Sequence, residues 1–441
     1  MSIHNILEEL RQKYSHQPTF IQTATEILES IAPYLESLPA TEADYRLVRR
    51  MLIPERIITF RVDWLNDQGV LETNTGYRIQ YNSVLGPYKG GLRFDPSVTE
   101  DVLKFLGLEQ IFKNALTGLP LGGGKGGSDF NPKGKSDNEI RSFARAFMIE
   151  LHRHIGLDLD VPAGDIGVGG REIGYLFGMY KQLARGNAGA LTGKDPLIGG
   201  SLGRTEATGY GIVYFAEAVA KEHALALSGM KVVVSGSGNV AEFTARKLIE
   251  KGAVVLTLSD RGGYLFKETG FTPADIDTLA REKDAGKALK DIATPGATYH
   301  DGTPWQHVAA DAYFPCATQN EVSKADVEVM VKSAKLIVEG ANMPLTLEAL
   351  ALVRKAGIPL APSKAANAGG VSVSGLEMVQ NAEHLSWTYE QVDTELQKIM
   401  QHIHSLCVEN GRAADGHVDY VNGANIAGFK RVFEGMKKLG W

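Results

Sequence analysis

Three lysines and one aspartate sit in glycine-rich surroundings unlike those of a solvated surface: Lys89 in GPYKGGLRF, Lys113 and Lys125 in KNALTGLPLGGGKGG, and Asp165 in DVPAGDIGVGG. Lys125 follows Leu119 and Leu121, so its stem is expected to enter a tight, partly apolar site. Burial there disfavours the ammonium form and lowers its pKa. The lysines amount to an anion site with a reactive amine, and Asp165 sits in a glycine-rich loop of its own. A flexible glycine loop with a solvated lysine is the plainer alternative. A nucleotide P-loop is excluded, because Leu119 takes the first glycine position of that motif and Gly126 follows the lysine where Ser or Thr is required.

The chain must supply elements that hold these groups. At 441 residues it exceeds one ordinary core, and two domains are expected. Formal net charge is −6 and no basic run forms a nucleic-acid footprint, so small-molecule chemistry is the default. The N-terminal MSIHNILEELRQKY is charged and helical in pattern, and no run of eighteen apolar residues occurs; a soluble, cytoplasmic protein with no membrane partner is expected. Cys316 and Cys407 lie far apart, which supports neither a disulfide framework nor a cysteine-based zinc site. His152/His154 and His402/His404 are spaced by two and turn to different faces of a helix, so no metal site is expected.

Phe20, Ala24, Ile27, Leu28, Ile31 and Leu35 form one apolar stripe at helical spacing. From about Ile57 the pattern turns to strands in ITFRVDW and TGYRIQYN, then back to helix in LKFLGLEQIFKNAL, where Gln110 and Lys113 share a face. A further helix covers Glu139 to His154, and DLDVPAGDIGVGG reads as a strand running into the loop of Asp165. In the second half a buried strand at Val232–Val234 enters Gly236-Ser237-Gly238-Asn239-Val240-Ala241, a helix follows, and a second strand covers Val254–Leu258. This βαβ unit with a GxGxxA turn points to a dinucleotide pyrophosphate cradled by backbone at a helix N-terminus. The fold class is therefore α/β in two domains. Residues 1–200 with a C-terminal helix 416–441 form a mixed-sheet domain for substrate and assembly, and residues 201–415 a Rossmann-type dinucleotide domain. DPLIGGSLGRTEATGYG is the expected hinge, where closure would exclude water.

The blocks GPYKGGLRFDPSV, FLGLEQIFKNALTGLPLGGGKGGSDF, DVPAGDIGVGGREIGY, EATGYG, SGSGNVA, PCATQNEV, EGANMP and AANAGGVSVSGLEM occur in order over nearly the whole chain. Together they resemble the glutamate dehydrogenase family, of the hexameric microbial type. The resemblance implies an oxidoreductase interconverting L-glutamate with 2-oxoglutarate and ammonium, and a cytoplasmic homohexamer. It implies Lys125 and Asp165 as catalytic residues. It puts Lys89 and Ser374 at the side-chain carboxylate of the substrate, Gln110 and Lys113 at its α-carboxylate, and Arg204 close by. Thr208, Asn239, Ala317 and Asn342 fall near the cofactor. The chain departs from the family pattern at Asn131, where FNP replaces FDP in what reads as a surface turn.

An amino-acid dehydrogenase for an apolar substrate would share fold and mechanism but would not need the Lys89 and Ser374 anchor. A catalytically silent dinucleotide sensor would not need Lys125 and Asp165. Cofactor choice rests on Ser259-Asp260-Arg261 at the end of the second strand. Ser259 and Arg261 suit a 2′-phosphate, while alternation along an extended segment turns Asp260 to the other face, so NADP is expected, with NAD the alternative if Asp260 takes the ribose.

Overall fold

The computed structural model describes residues 2–185 and 189–441, which fall into two compact units. The first comprises Met1–Arg204, Val371–Val392 and Asn425–Trp441; the second comprises Thr205–Gly370 and Asp393–Ala424.

The first unit carries a five-stranded sheet built from β1 (Arg56–Leu65), β2 (Leu71–Asn82), β3 (Tyr88–Phe94), β4 (Gly123–Ser128) and β5 (Asp160–Gly164), in the order β1-β2-β4-β3-β5. β1, β2 and β4 pair antiparallel, while β4, β3 and β5 pair parallel, so the sheet is mixed. The expected apolar stripe lies on helix Pro18–Ser37, with Phe20, Ala24, Ile27, Leu28, Ile31 and Leu35 all buried. Helices Asp137–Leu151 and Gly170–Ala184 pack over an aromatic core in which Phe130 stacks on Phe143 at 3.8 Å and Phe94 meets Phe143 edge-on at 5.0 Å. GGKGGS, for which the sequence offers a flexible glycine loop as the plainer alternative, is the buried strand β4. Its glycines are explained by close backbone approach. A Cβ on Gly90 of β3 would lie 1.7 Å from the carbonyl oxygen of Gly124.

The second unit carries a seven-stranded sheet of β6 (Lys231–Val234), β7 (Val254–Ser259), β8 (Gly263–Phe266), β9 (Thr298–Asp301), β10 (Ala312–Phe314), β11 (Leu336–Val338) and β12 (Leu360–Ala361), in the order β12-β11-β10-β6-β7-β8-β9. Strands β12 to β7 run parallel; β8 and β9 are antiparallel additions at one edge. Helix Asn239–Glu250 closes the β6–β7 crossover, as the βαβ pattern requires.

The unit boundaries differ from the division into residues 1–200 with 416–441 and residues 201–415. The segment Val371–Val392, counted with the dinucleotide domain in the sequence, belongs to the first unit. Packing across the sequence explains this: Glu377 accepts from Lys194 Nζ at 2.6 Å, and Gly375 lies so close to Leu119 that a Cβ there would stand 2.5 Å from its side chain. The VSVSG stretch itself is helical, within Gly369–Glu383, rather than a strand or turn.

Candidate functional site

In the first unit the site residues hang on the parallel part of the sheet and on helix Glu100–Leu116. Lys89 of β3 lies opposite Val161 of β5 and donates from Nζ to the Val161 carbonyl at 2.9 Å. It is only 1% exposed. Burial, with the neighbouring cations Arg204 and Arg78, holds its ammonium well below the ordinary lysine range, against the opposing pull of Glu377 and Asp160. Arg204 donates from Nε to the buried Ser374 hydroxyl at 2.9 Å. Lys89, Arg204 and Ser374 are thus neighbours, two cations beside one hydroxyl.

Gln110 reaches this group through Asn114: Gln110 Nε2 donates to Asn114 Oδ1 at 2.7 Å, and Asn114 Nδ2 donates to the Lys89 carbonyl at 3.0 Å. Lys113 is half-buried on the same helix. The helix lies close on β4, since a Cβ on Gly107 would stand 3.7 Å from Lys125 Cβ.

Lys125 and Asp165 form an ion pair, with Nζ 2.9 Å from Oδ2. Arg93 of β3 contacts the same oxygen, also at 2.9 Å. Burial lowers the Lys125 ammonium from its ordinary value; the Asp165 charge opposes this, and the like charge of Arg93 adds to it. Burial alone would raise the Asp165 carboxyl, yet Lys125 and Arg93 hold it down at about 2. The arrangement joins an amine of lowered pKa to an ionised carboxylate held by two cations.

Sequence reasoning did not single out Arg93, Arg78, Asp160, Lys194 or Glu377. Arg78 and Asp160, both wholly buried, form an ion pair beneath the site, with Arg78 also donating to the Gly90 carbonyl at 3.1 Å. Lys194 and Glu377 form a second buried pair, extended by Gly193 N–H to Glu377 at 2.9 Å. Arg93 was within reach, as a charged residue inside the otherwise apolar GGLRF; the others pair across more than eighty positions and leave no local signal.

In the second unit the glycine turn follows β6. Gly236 has φ +83°, and a Cβ on it would lie 3.2 Å from both Ala241 Cβ and Ala317 Cα. Glycine is required there, and the hollow suits a pyrophosphate approached by backbone. Gly238 begins helix Asn239–Glu250 with no side-chain cap, Asn239 is exposed, and Ser237 and Val240 are half-buried. Thr208 lies in the first turn of helix Ala207–Glu222. Ala317 follows β10, its N–H donating to Glu321 at 2.9 Å; Asn342 follows β11 and accepts from Asn367 at 2.9 Å. The turn, Ala317 and Asn342 therefore stand at the C-terminal ends of adjacent parallel strands, where such sheets bind ligands.

Ser259, buried at the end of β7, accepts from Gly236 N–H at 2.8 Å, which leaves its own proton to donate. The Asp260 carboxylate accepts from Gly262 N–H at 2.9 Å, Gly263 N–H at 3.2 Å and Leu289 N–H at 3.1 Å. Arg261 is exposed beside a hollow of about 510 Å³ that Asp260, Lys290, Tyr299 and Asp301 also line. Lys283, with no sequence signal beyond an amphipathic helix, reaches the turn and donates to Ser237 O at 2.5 Å and to its hydroxyl. Among the described residues no cluster of three or more metal-ligating side chains occurs, and no helix is long and apolar enough to cross a membrane.

A mixed-sheet unit bearing a lysine–aspartate pair, with a Rossmann-type unit in the same chain, defines an amino-acid dehydrogenase architecture. The Glutamate/Leucine/Phenylalanine/Valine dehydrogenase family model matches residues 199–440, and the dimerisation-domain model of that family matches residues 54–182. The chain belongs to this family. Among its relatives, the NADP-specific glutamate dehydrogenase of Salmonella typhimurium is 50% identical over 446 residues, covering 100% of this chain and 98% of the relative. That of Escherichia coli is 48% identical over 443 residues, with the same coverage. The crystal structure of Plasmodium falciparum glutamate dehydrogenase superimposes with a TM-score of 0.97 at 48% identity, covering 100% of this chain and 94% of that one.

Proposed function

We propose that the protein interconverts L-glutamate and 2-oxoglutarate plus ammonium, with NADP as its nicotinamide cofactor. The observation that carries this reading over a leucine- or phenylalanine-type substrate is the grouping of buried Lys89 and Ser374 with half-buried Arg204. An apolar side chain would leave the charges of Lys89 and Arg204 uncompensated, at considerable cost; a second carboxylate compensates them.

In this reading Lys89 and Ser374 hold the distal carboxylate, and Lys113 and Gln110 the α-carboxylate, fixing the keto carbon for attack. Lys125 polarises the 2-keto oxygen and, with its lowered pKa, exchanges protons with the water lost or gained. Asp165 passes protons as ammonia adds and the carbinolamine collapses to an iminium. The nicotinamide, when bound, supplies the hydride that makes L-glutamate. Gly236 to Val240 fit the cofactor's pyrophosphate, with Thr208, Ala317 and Asn342 beside it.

NADP is favoured over NAD because the Asp260 carboxylate is taken up by two N–H groups of its own turn, those of Gly262 and Gly263, and by that of Leu289. Ser259, Arg261 and the lysine Lys283 then offer donors of the right sign for a 2′-phosphate. A cytoplasmic homohexamer belongs to the same proposal. The outer edge of β1, with Ile57, Leu65, Val70 and Leu71 exposed around it, supports self-association. Initial rates with 2-oxoglutarate and branched keto acids, ammonium, and either reduced nicotinamide test the reading. Higher kcat/KM for a branched keto acid would overturn the substrate, and higher kcat/KM with NADH the cofactor. Light scattering tests the assembly, six copies of the 47.7 kDa chain being expected.

A further inference from the structure

We propose that Arg93 is a positioning residue for the Lys125–Asp165 pair, clamping one carboxylate oxygen of Asp165 so that the other is presented for proton transfer. The inference rests on the reading of that pair as the reacting groups. Both cations converge on Oδ2, each at 2.9 Å, and among the described residues Oδ1 accepts no hydrogen bond.

The clamp is built into the backbone. Arg93 is paired in parallel register with Gly127 of β4, two residues beyond Lys125. Gly127 has φ +153°, and a Cβ there would lie 2.1 Å from the Arg93 carbonyl oxygen, so the two strands meet closely at this point. On the other side of β3, a Cβ on Gly91 would lie 2.9 Å from Asp165 Cβ. Arg93 is 13% exposed in its side chain and donates through Nε, a directional contact that a solvated lysine would not fix.

The charged groups facing the pair are few. Asp165 faces Lys125 from β4 and Arg93 from β3; Lys125 faces Asp165, Arg93 and, from β2, Arg78. When Lys125 turns to a substrate oxygen, Arg93 is the cation that remains on Asp165. It keeps the carboxylate ionised and oriented, and as a like charge it keeps Lys125 readily deprotonated.

The test uses the full-length chain with Arg93→Leu and Arg93→Lys. The reactivity of Lys125 toward acetic anhydride is measured against pH without substrate, by quantifying the acylated peptide; the kcat/KM profile for glutamate oxidation is measured separately. In Arg93→Leu the Lys125 titration and the acid limb should both move to higher pH, and kcat should fall about tenfold or more through lost orientation. Arg93→Lys, which restores the charge, should keep both titrations near those of the parent. An unmoved Lys125 titration in Arg93→Leu overturns the proposal, as does an equal shift in both variants, which would reflect general disturbance. Should Arg93→Leu not fold, Arg93→Gln carries the same test. Acylation needs no turnover, so this result is independent of whether Lys125 and Asp165 prove to be catalytic.

Discussion

Replacing Lys89 by Leu probes the feature on which substrate choice depends. Lys89 is 1% exposed and shares its pocket with Arg204, which is anchored on Ser374. Leaving a buried charge without its partner costs about 3–5 kcal/mol. In the single variant Arg204 still faces the distal carboxylate of 2-oxoglutarate, so the lower end applies: about 3 kcal/mol, or about a hundredfold in kcat/KM. Adding Ser374→Val removes the acceptor that fixes Arg204, and the loss should approach 5 kcal/mol, or more than about a thousandfold. A branched aliphatic keto acid, which brings no second charge, should lose far less and gain in relative preference. The single variant should also be more stable than the parent at neutral pH. A lysine whose folded pKa lies below its unfolded value is bound to fewer protons when folded, so the penalty for burying it is present below the unfolded pKa and vanishes only as pH rises above it. The assay is the initial rate of NADPH oxidation with each keto acid, alongside thermal unfolding. An unchanged ratio between the two keto acids would refute the assignment and place the distal carboxylate elsewhere.

Lys125→Ala and Asp165→Asn should each lower kcat by roughly a thousandfold or more with the fold intact; a near-parent kcat in either folded variant would remove it from the chemistry. The same pair predicts a pH window for stability. The Asp165 carboxyl lies at about 2 against an ordinary 3.8, so its contribution is full above pH 3.8 and is lost as pH falls through about 2. Acid unfolding of Asp165→Asn should lack that component, and identical acid titrations of variant and parent would contradict it. Arg261→Ala should raise KM for NADPH and leave NADH nearly unchanged; an equal effect on both cofactors would argue against a 2′-phosphate contact.

Much of the architecture was legible because it is local. Helical spacing from Phe20 to Leu35 marks a buried face without reference to the rest of the chain, and an apolar strand, a glycine turn and a helix in succession specify a βαβ unit. Lys125 was recognisable as unusual from its apolar and glycine neighbours alone. The sequence also located the glycine turn after β6 to the residue, since φ +83° at Gly236 is a condition that only glycine meets without strain.

Other features exist only once distant segments meet. That GGKGGS is a central strand follows from the carbonyls of β3 and β2 pressing on it, and no single-sequence pattern distinguishes this from a loop. Ser374 could not be placed from its VSVSG context, because β-branched residues suggested extension while burial against Leu119 and Leu121 favoured a helix. Arg93 stood out as a charge within GGLRF, but its partner was decided only when β3 brought it to Asp165, seventy-two positions away. Pairing of that kind depends on charges desolvated together, and desolvation is a property of the packed chain rather than of any stretch of it.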